Sequence, residues 1–387
     1  MHILILPSWY PKKENDVRGC FFRDQALALY QHGHKVGVVA PMLRSLRTLA
    51  DVNYERAVGY ENDAGVETYR EEFFATVPKI PCVNYFLFKM SARKLVKRYV
   101  KENGRPDLIH AHAALLGGAA AAVLAEEFNV PLVLTEHSSG YARQLYSKWQ
   151  IELAKKAVQR ANAVIVVSPA LASLLNKEIC SCEWKWIPNV VVDRFNAVSH
   201  PSTVERPVRF LNLALMTENK GQGDLLQAFT SLALNGVDAE LWLAGDGPMR
   251  SKLERTAEIS GAKEKIRFLG LIEPGKVPDL LSQIDVMVIS SHYETFGVVA
   301  AEALMAGVPV IATRCGGPEC IVEKGDGLLV SPKNPHELQA AMLEILEKLP
   351  NYDTAAIADR AKARFSARTI ASRLTEEYEN VLKSFFS

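Results

Sequence analysis

Short runs of β-branched and other apolar residues alternate with amphipathic segments along nearly the whole chain. This alternation is typical of βαβ units, because each amphipathic segment covers one face of a parallel sheet while it carries the chain back to begin the next strand. The pattern predicts an α/β fold with two Rossmann-like, doubly wound sheets. The predicted strands are residues 2–6, 35–40, 107–110, 132–135 and 163–167 in the first half, and 208–215, 240–244, 266–270, 285–289, 308–312 and 327–330 in the second half.

A stretch without apolar periodicity separates the two halves. Residues 196–207, NAVSHPSTVERP, are rich in Pro, Ser and Thr and are predicted to be a linker between an N-terminal domain, 1–195, and a C-terminal domain, 208–364. Residues 365–387 have apolar side chains near helical spacing, which predicts a terminal helix that packs on a domain surface, with the N-terminal domain as the candidate. Two such domains are expected to face a cleft, with ligands outside the carboxyl ends of the strands.

Composition excludes several classes of protein. The 387 residues include 45 Lys or Arg and 44 Asp or Glu, so the formal net charge is +1. A charge this small does not indicate nucleic acid as a partner. Six scattered cysteines form neither a disulfide framework nor a zinc-site spacing. The opening MHILILPSWY lacks the features of a signal peptide, and the longest stretch without acidic or basic residues, 108–125, is too short to span a membrane. A cytoplasmic location is therefore expected.

The most informative segment is 291–313, SHYETFGVVAAEALMAGVPVIAT, which reads as a loop, a helix and a strand. Gly297 lets backbone approach a ligand, and the N–H groups at the start of the helix favour an anion. Glu302 lies five residues further on, about 7.5 Å along a helix axis, which suits the distance from a diphosphate to a ribose. The competing interpretation is that Glu294 is an exposed loop acid and Glu302 an ordinary helix residue.

A second segment, 213–229, LALMTENKGQGDLLQAF, follows the first strand of the second half. It places Lys220 directly before a helix, where an ammonium group can bind phosphate as a point charge. A solvated loop lysine is the alternative. Lys220 is in the same predicted domain as Glu302, which favours the interpretation that both residues bind one ligand.

These strings resemble the retaining glycosyltransferases of family 4, which have the two-domain GT-B fold, and the resemblance covers nearly the whole chain. Further matching strings are LAGDGP at 243–248, RFLGLI at 267–272, AGVPVIATRCGGPE at 306–319, GLLVSPKNPHEL at 327–338, and, in the first half, PSWYP with VRGCFFRDQALAL, PLVLTEHSSG, VVSPAL and IPNVVVDRF.

The resemblance implies roles for residues of the C-terminal domain. Glu302 would bind the ribose of a nucleotide-sugar, Glu294 would contact a hydroxyl of the donor sugar, and Lys220 would neutralise the diphosphate. Backbone groups in two further segments would also meet the donor. Those facing sugar and phosphate are at Phe296, Gly297 and Val298, and those reading the base are at Leu269, Gly270 and Leu271.

In the N-terminal domain, which the resemblance makes the acceptor side, two residues are implicated. Gly19 would allow close approach of the diphosphate or the acceptor, and His137 would approach the donor sugar. His137, Lys220 and Glu294 are thus the expected catalytic residues.

One departure from the family concerns charge. The family commonly has GRL where this chain has Ala-Leu-Met, so Leu215 stands in place of an arginine that shares the phosphate charge with the lysine. Either Lys220 and the helix N-terminus suffice, or another cation such as Arg18 or Arg314 contributes. No DxD sequence occurs, so catalysis is expected to be metal-independent, with N–H donors and a cation stabilising the leaving group.

The expected function is retaining transfer of a sugar from a nucleotide diphosphate, UDP rather than GDP, to a glycan or lipid-linked acceptor in cell-surface polysaccharide synthesis. No cofactor is expected. Two alternatives stay open, a nucleotide-sugar epimerase on the same fold and a non-catalytic sugar-nucleotide binding protein. A hydride-transferring enzyme is disfavoured because no GxGxxG follows the first strand.

Other features allow two interpretations each. Residues 85–105 carry seven Lys or Arg among apolar residues, which fits either peripheral contact with an anionic membrane or a surface helix packed on the core. His110 and His112, expected at the end of a strand, either line the cleft or shape the structure. Cys180 and Cys182 are expected to be inert thiols.

Overall fold

The computed structural model describes residues 1–14, 16, 19–45, 57, 59–75, 80–195 and 206–387. The chain divides into two compact units. Unit 1 comprises Met1–Val190 together with Ala367–Ser387, and unit 2 comprises Val191–Ser366. Most of the predicted linker, 196–205, lies outside the described residues. Contacts group the segment just before it, from Val191, with unit 2, and the C-terminal helix with unit 1.

In its described part, unit 1 contains an eight-stranded sheet with the order β3-β4-β2-β1-β5-β6-β7-β8. Every described pair is parallel except β3 with β4, which form an antiparallel hairpin at one edge. The strands are β1 His2–Pro7, β2 Lys35–Ser45, β3 Tyr60–Asp63, β4 Val66–Ala75, β5 Leu108–His112, β6 Leu132–Glu136, β7 Ala163–Val166 and β8 Lys185–Trp186. The helices are α1 Cys20–Gln31, α2 Pro81–Asn103, α3 Ala119–Phe128, α4 Lys148–Arg160, α5 Pro169–Glu178 and the C-terminal helix Ala367–Phe386.

Alternation along β1 supplies both faces of this sheet with apolar side chains. Ile3 and Ile5 belong to a core shared with α1 and the C-terminal helix. Leu4 and Leu6 belong to a second core shared with α2 and α3. Because side chains of a strand alternate between the faces, a strand buried on both sides reads as a continuous apolar run, as HILIL does here.

Unit 2 contains, in its described part, a parallel six-stranded sheet with the order β11-β10-β9-β12-β13-β14. One core packs this sheet against α6, α7 and α10. The strands are β9 Val208–Leu213, β10 Ala239–Ala244, β11 Ile266–Gly270, β12 Val286–Ile289, β13 Val310–Thr313 and β14 Gly327–Val330. The helices are α6 Gln222–Leu234, α7 Arg250–Glu258, α8 Val277–Leu281, α9 Val298–Met305, α10 Pro335–Lys348 and α11 Thr354–Phe365.

The predicted strands all exist, with ends that shift by a few residues. The prediction missed β3, β4 and β8, and it ended β2 five residues early. β4, with the sequence VETYREEFFA, was missed because its charged residues hide the apolar period. Arg70 and Glu72 in this strand are nevertheless buried, and each forms an ion pair, Arg70 with Glu61 and Glu72 with Arg44.

A cluster of histidines lies inside unit 1, where burial agrees with the structural interpretation of His110 and His112 rather than with the cleft-lining one. Both are within β5 and fully buried. Nδ1 of His110 lies 2.7 Å from the Tyr378 hydroxyl, and its Nε2 lies 2.8 Å from the Thr135 hydroxyl. Nδ1 of His112 lies 3.0 Å from Nε2 of His137. The cluster therefore links the central strands to the C-terminal helix.

Burial keeps these three histidines neutral in the folded protein. It lowers the pKa of His110 and of His137 to about 3, and it holds the pKa of His112 well below its ordinary value. In the unfolded chain each histidine would have a pKa of about 6.5. Below that pH the unfolded state binds more protons than the folded state, so acid favours unfolding.

We predict that the free energy of unfolding falls as the pH drops from about 6.5, by up to about 1.4 kcal/mol per pH unit for each buried histidine. Urea unfolding followed over this range measures the slope. The variant His110→Gln is expected to have a shallower slope than the wild type, whereas His336→Gln, which changes an exposed histidine, should leave the slope unchanged. Equal slopes in all three proteins would contradict this account.

Candidate functional site

The loops after β9 and β12 meet at one edge of the sheet in unit 2. β9 and β12 are neighbours, and the chain adds strands on one side of β9 before it crosses to the other. Such a reversal leaves a crevice outside the carboxyl ends of the two strands, which is where ligands bind in open α/β sheets. The sequence places Lys220 in the loop after β9 and Glu294 in the loop after β12.

Hydrogen bonds hold these two loops together. The Ser290 hydroxyl donates to the Lys220 carbonyl over 2.9 Å, and the His292 N–H donates to the Asn219 carbonyl over 2.7 Å. Gly221 has a φ of 62° at the start of α6, and a Cβ there would lie 2.0 Å from the Ser290 carbonyl oxygen. Only glycine fits this position, because it has no Cβ and tolerates a positive φ.

Lys220 and Glu294 form an ion pair at this edge. Nζ of Lys220 lies 2.5 Å from Oε1 of Glu294, which also accepts a hydrogen bond from the Ser291 hydroxyl over 2.7 Å. Both side chains are partly exposed, at 24% and 15%. Within the described residues, no donor contacts Oε2 of Glu294. A ligand hydroxyl could therefore donate to this carboxylate while the ion pair persists.

Helix α9 begins directly beyond Glu294. Gly297 caps the helix with a φ of 96°, Val298 is its first residue, and Phe296 is buried. The backbone of Glu294 is fixed from both sides, since its N–H donates to Cys315 and its carbonyl accepts from Gly317. The first N–H groups of a helix have no partner within it, so this end of α9 favours an anion.

Glu302 lies on α9 with its side chain only 12% exposed. Arg194, which the sequence analysis did not single out, approaches it within unit 2, with 3.7 Å between the guanidinium and Oε1. The string IPNVVVDRF contains this arginine, but nothing in its spacing indicates a partner on α9. A ribose bound to Glu302 would share this carboxylate with Arg194 or displace it.

The remaining predicted residues of unit 2 lie at the ends of other strands. Gly270 ends β11, and its carbonyl accepts the Gly245 N–H over 2.7 Å, while the Leu271 side chain is 63% exposed. Leu269 is the residue before Gly270 in the same strand. Leu215, where the family has arginine, exposes its apolar side chain to 54%.

Of the two cations considered as substitutes for the missing arginine, Arg18 lies outside the described residues. Arg314 follows β13 and is exposed.

In unit 1 the structure brings His137 to the beginning of α1, which Gly19 precedes. The His137 ring lies 5.4 Å from the Phe21 ring and 5.0 Å from the Phe22 ring, centroid to centroid. His137 is buried, and burial, followed by the neighbouring His110, lowers its pKa to about 3 while Asn189 acts in the opposite direction. The imidazole at this position is therefore neutral near pH 7.

Glu136 is a buried residue that sequence reasoning missed. Its carboxylate accepts hydrogen bonds from the N–H groups of Ala114, His137 and Ser138 over 2.7 to 2.8 Å. Burial raises the pKa of Glu136, and these bonds together with one from Tyr141 act against that rise. The glutamate thereby ties the loop after β6 to the loop after β5.

The described residues contain no group of three or more His, Cys, Asp or Glu side chains arranged to hold a metal ion.

Comparison with protein families identifies both halves of the chain. The model described as glycosyl transferases group 1 matches residues 197–362, and the model described as glycosyltransferase family 4 matches residues 21–194. TuaC of Bacillus subtilis strain 168, a glycosyltransferase assigned to teichuronic acid biosynthesis, is 28% identical over 415 aligned residues, which cover 99% of this chain and 100% of TuaC.

Solved structures of glycosyltransferases share the fold of this chain. A sucrose-phosphate synthase from Thermosynechococcus elongatus has a TM-score of 0.79 at 22% identity, covering 99% of this chain and 100% of that one. Anabaena HepE, solved with UDP, has a TM-score of 0.75 at 21% identity, covering 98% and 100%. The fold is that of the two-domain GT-B glycosyltransferases. The chain belongs to glycosyltransferase family 4.

We predict that Gly221→Ala destabilises the protein by about 2 kcal/mol or more, because the new Cβ would collide with the Ser290 carbonyl as well as occupy a positive φ. The matched control is Gly236→Ala, since Gly236 also has a positive φ, 83°, but has nothing within 4 Å of the Cβ position. Thermal unfolding of both variants isolates the contribution of the close approach. Equal losses of stability would show that the two loops are not tightly apposed in solution.

Proposed function

We propose that this glycosyltransferase retains the anomeric configuration and moves a sugar from UDP to a glycan or lipid-linked acceptor in the synthesis of a cell-surface polysaccharide. The observation that carries the proposal is the meeting of Lys220 and Glu294 outside the strand ends of unit 2, directly before the helix that bears Glu302. A cation, a helix N-terminus and a carboxylate one helical turn further on match a diphosphate followed by a ribose.

Each residue has a distinct part in the proposed reaction. Lys220 and the first N–H groups of α9 stabilise the negative charge that develops on the departing diphosphate. Glu294 accepts a hydrogen bond from a hydroxyl of the donor sugar. Glu302 binds the ribose, and the backbone from Leu269 to Leu271 reads the base.

Retention follows if the acceptor attacks from the face that the leaving group vacates. The bond between the anomeric carbon and the diphosphate oxygen breaks, and a bond from the acceptor oxygen to the same carbon forms. The acceptor proton passes to the departing diphosphate oxygen. His137 is proposed to contact the donor sugar as a neutral imidazole, because its pKa of about 3 excludes a protonated form near pH 7.

UDP is favoured over GDP because HepE has been crystallised with UDP and, in a related structure, with UDP-glucose. Similarity to TuaC, which is assigned to teichuronic acid biosynthesis, supports a polysaccharide as the product. Metal independence is proposed because the sequence has no DxD to hold a divalent ion against the diphosphate, and Lys220 supplies positive charge instead.

Peripheral contact with an anionic membrane is a separate part of the proposal and concerns α2. In α2, Phe88, Leu95 and Val96 are buried in the core of unit 1, as a packed surface helix requires. Four cations of α2 pair with carboxylates, namely Arg93 and Lys97 with Glu127, Lys94 with Glu71, and Arg98 with Glu102. Exposed Phe86 and Met90 near its N-terminus could still meet lipid. Among the described residues, no helix has the length and apolar character that a membrane span requires.

The alternatives of an epimerase and of a non-catalytic binding protein are tested by the same experiment as the proposal. A panel of UDP-sugars and GDP-sugars is incubated with the protein and candidate acceptors, and release of nucleoside diphosphate is measured. Release that depends on the acceptor supports transfer, whereas a change in donor configuration without release identifies an epimerase. UDP binding without turnover on any donor would identify a binding protein, for which the uncharged Leu215 is the best argument.

We predict that Glu302→Gln weakens UDP binding by on the order of 1.5 to 3 kcal/mol, because ribose hydroxyls lose a charged acceptor. Isothermal titration calorimetry measures the dissociation constant. Glu258→Gln is the control, since Glu258 is an exposed glutamate of the same unit, with 62% of its side chain accessible. UDP affinity equal to that of the wild type would remove Glu302 from the donor site.

We further predict that transfer continues in excess EDTA. Turnover that requires added magnesium or manganese would overturn the proposal of a metal-independent reaction.

We also predict that Lys220→Ala lowers kcat more than it weakens binding of uridine. The lysine is expected to act on the departing diphosphate, and uridine has no diphosphate. Normal turnover in Lys220→Ala would remove the lysine from the mechanism.

A further inference from the structure

Unit 1 contains a cavity of about 340 Å³ that the proposed donor chemistry does not use. Its walls come from the segments after β1, β5 and β6, from the first turns of α2 and α4, and from Leu43 in β2. The volume lies in the range typical of small-molecule sites.

The cavity lies where the topology of unit 1 predicts a ligand. β1 and β5 are neighbours, with β2 on the other side of β1, so the strand order reverses between them. Ser8 and Trp9 follow β1, and Ala113 and Leu116 follow β5, and all four line the cavity. This is the crevice at the switch point of an open α/β sheet, where ligands bind.

The wall after β5 is held in an unusual conformation. Ala113 has a φ of 66° and Leu116 a φ of 54°, although neither is glycine. The Glu136 carboxylate fixes this segment through the Ala114 N–H, and the Ser8 hydroxyl accepts the Gly117 N–H over 2.9 Å. Backbone conformations of this kind are costly and are found most often at functional sites.

The chemistry of the lining selects against charge. Trp9 and Trp149 are 38% and 43% exposed, and Tyr141 and Tyr146 pack edge to face with 4.8 Å between ring centroids. The other polar side chains of the lining are Ser8, Asn84, Ser138, Gln150 and Glu136, whose carboxylate would repel a second anion. None of the described residues lining the cavity is a lysine, arginine or histidine, so no cation there would balance a phosphate or a carboxylate. Aromatic faces suit the C–H face of a sugar ring, while the polar groups can bind hydroxyls.

We propose that this cavity binds the acceptor and that the acceptor unit seated in it is an uncharged sugar ring, packed against Trp9 and Trp149. This inference rests on the proposed function and deepens it, because it excludes a uronic acid or a sugar phosphate as the unit in the cavity.

The two tryptophans make the proposal testable without turnover. The chain has five tryptophans, at positions 9, 149, 184, 186 and 242, and only the first two line the cavity among its described residues. The protein is labelled with 5-fluorotryptophan and titrated with p-nitrophenyl glucoside, galactoside and N-acetylglucosaminide. We expect the fluorine resonances of Trp9 and Trp149 to shift saturably with at least one of these neutral glycosides, and the other three to stay in place.

Two comparisons sharpen the result. p-Nitrophenyl glucuronide should bind at least about tenfold more weakly than the best neutral glycoside. Trp149→Ala should weaken glycoside binding by at least about tenfold, whereas Trp186→Ala, which removes a tryptophan of unit 1 with 37% exposure outside the cavity, should not.

Several outcomes would overturn the inference. These are the absence of any shift with the three glycosides at millimolar concentration, equal binding of the glucuronide, or equal shifts with p-nitrophenol, which lacks the sugar. UDP is titrated into the same samples. Loss of glycoside binding with UDP binding intact counts against the cavity alone, and failure to bind UDP counts against the proposed function.

Discussion

Both units of this chain are governed by the reversal of strand order in a parallel sheet. In unit 2 the chain adds β10 and β11 on one side of β9 and then crosses to β12 on the other, so the loops after β9 and β12 diverge from adjacent strands. Short connections cannot fill the space between diverging loops, and side chains from both can converge there. Lys220 and Glu294, 74 residues apart in sequence, meet at 2.5 Å for this reason. In unit 1 the same reversal between β1 and β5 leaves the cavity lined by Trp9 and Leu116.

The sequence predicted those parts of the molecule whose signals are local. The comparisons confirm the GT-B fold and family 4 membership. Both could be predicted because strands buried on both faces appear as apolar runs, and because Glu294 lies in a contiguous string, Glu-Thr-Phe-Gly at 294–297. The assignment of roles to Glu302, Lys220 and His137 stays a prediction. What the sequence did not reveal depends on contacts between distant segments. Glu72 in strand β4 pairs with Arg44 only after folding, Arg194 approaches Glu302 across about a hundred residues, and Glu136 accepts the Ala114 N–H from a neighbouring loop.

In the proposed donor site of unit 2, the four charged side chains form two ion pairs. Lys220 contacts Glu294, and Glu302 contacts Arg194. A partly buried charge without a partner raises the free energy of the folded protein, because it loses hydration. Each ion pair reduces this cost and holds its carboxylate in place. A diphosphate would offer Lys220 a second anionic partner, and ribose hydroxyls would offer Glu302 neutral donors. Because Leu215 stands where the family commonly has an arginine, Lys220 would have to neutralise the diphosphate with one fewer cation beside it while it still contacts Glu294.

The chemistry of the unit 1 cavity differs from that of the proposed donor site in a way that bears on specificity. A nucleotide-sugar carries its negative charge on the diphosphate, and a cavity without lysine, arginine or histidine among its described lining offers that charge no compensation. If the cavity binds the acceptor as proposed, its aromatic walls would favour a neutral ring over the charged donor, so two sugar-bearing ligands could be distinguished without a dedicated contact to either sugar. The positive φ of Ala113 and Leu116 sets the shape of one wall, and the hydrogen bond from the Ala114 N–H to the buried Glu136 carboxylate stabilises that conformation, so the shape of the cavity would contribute to the same selection.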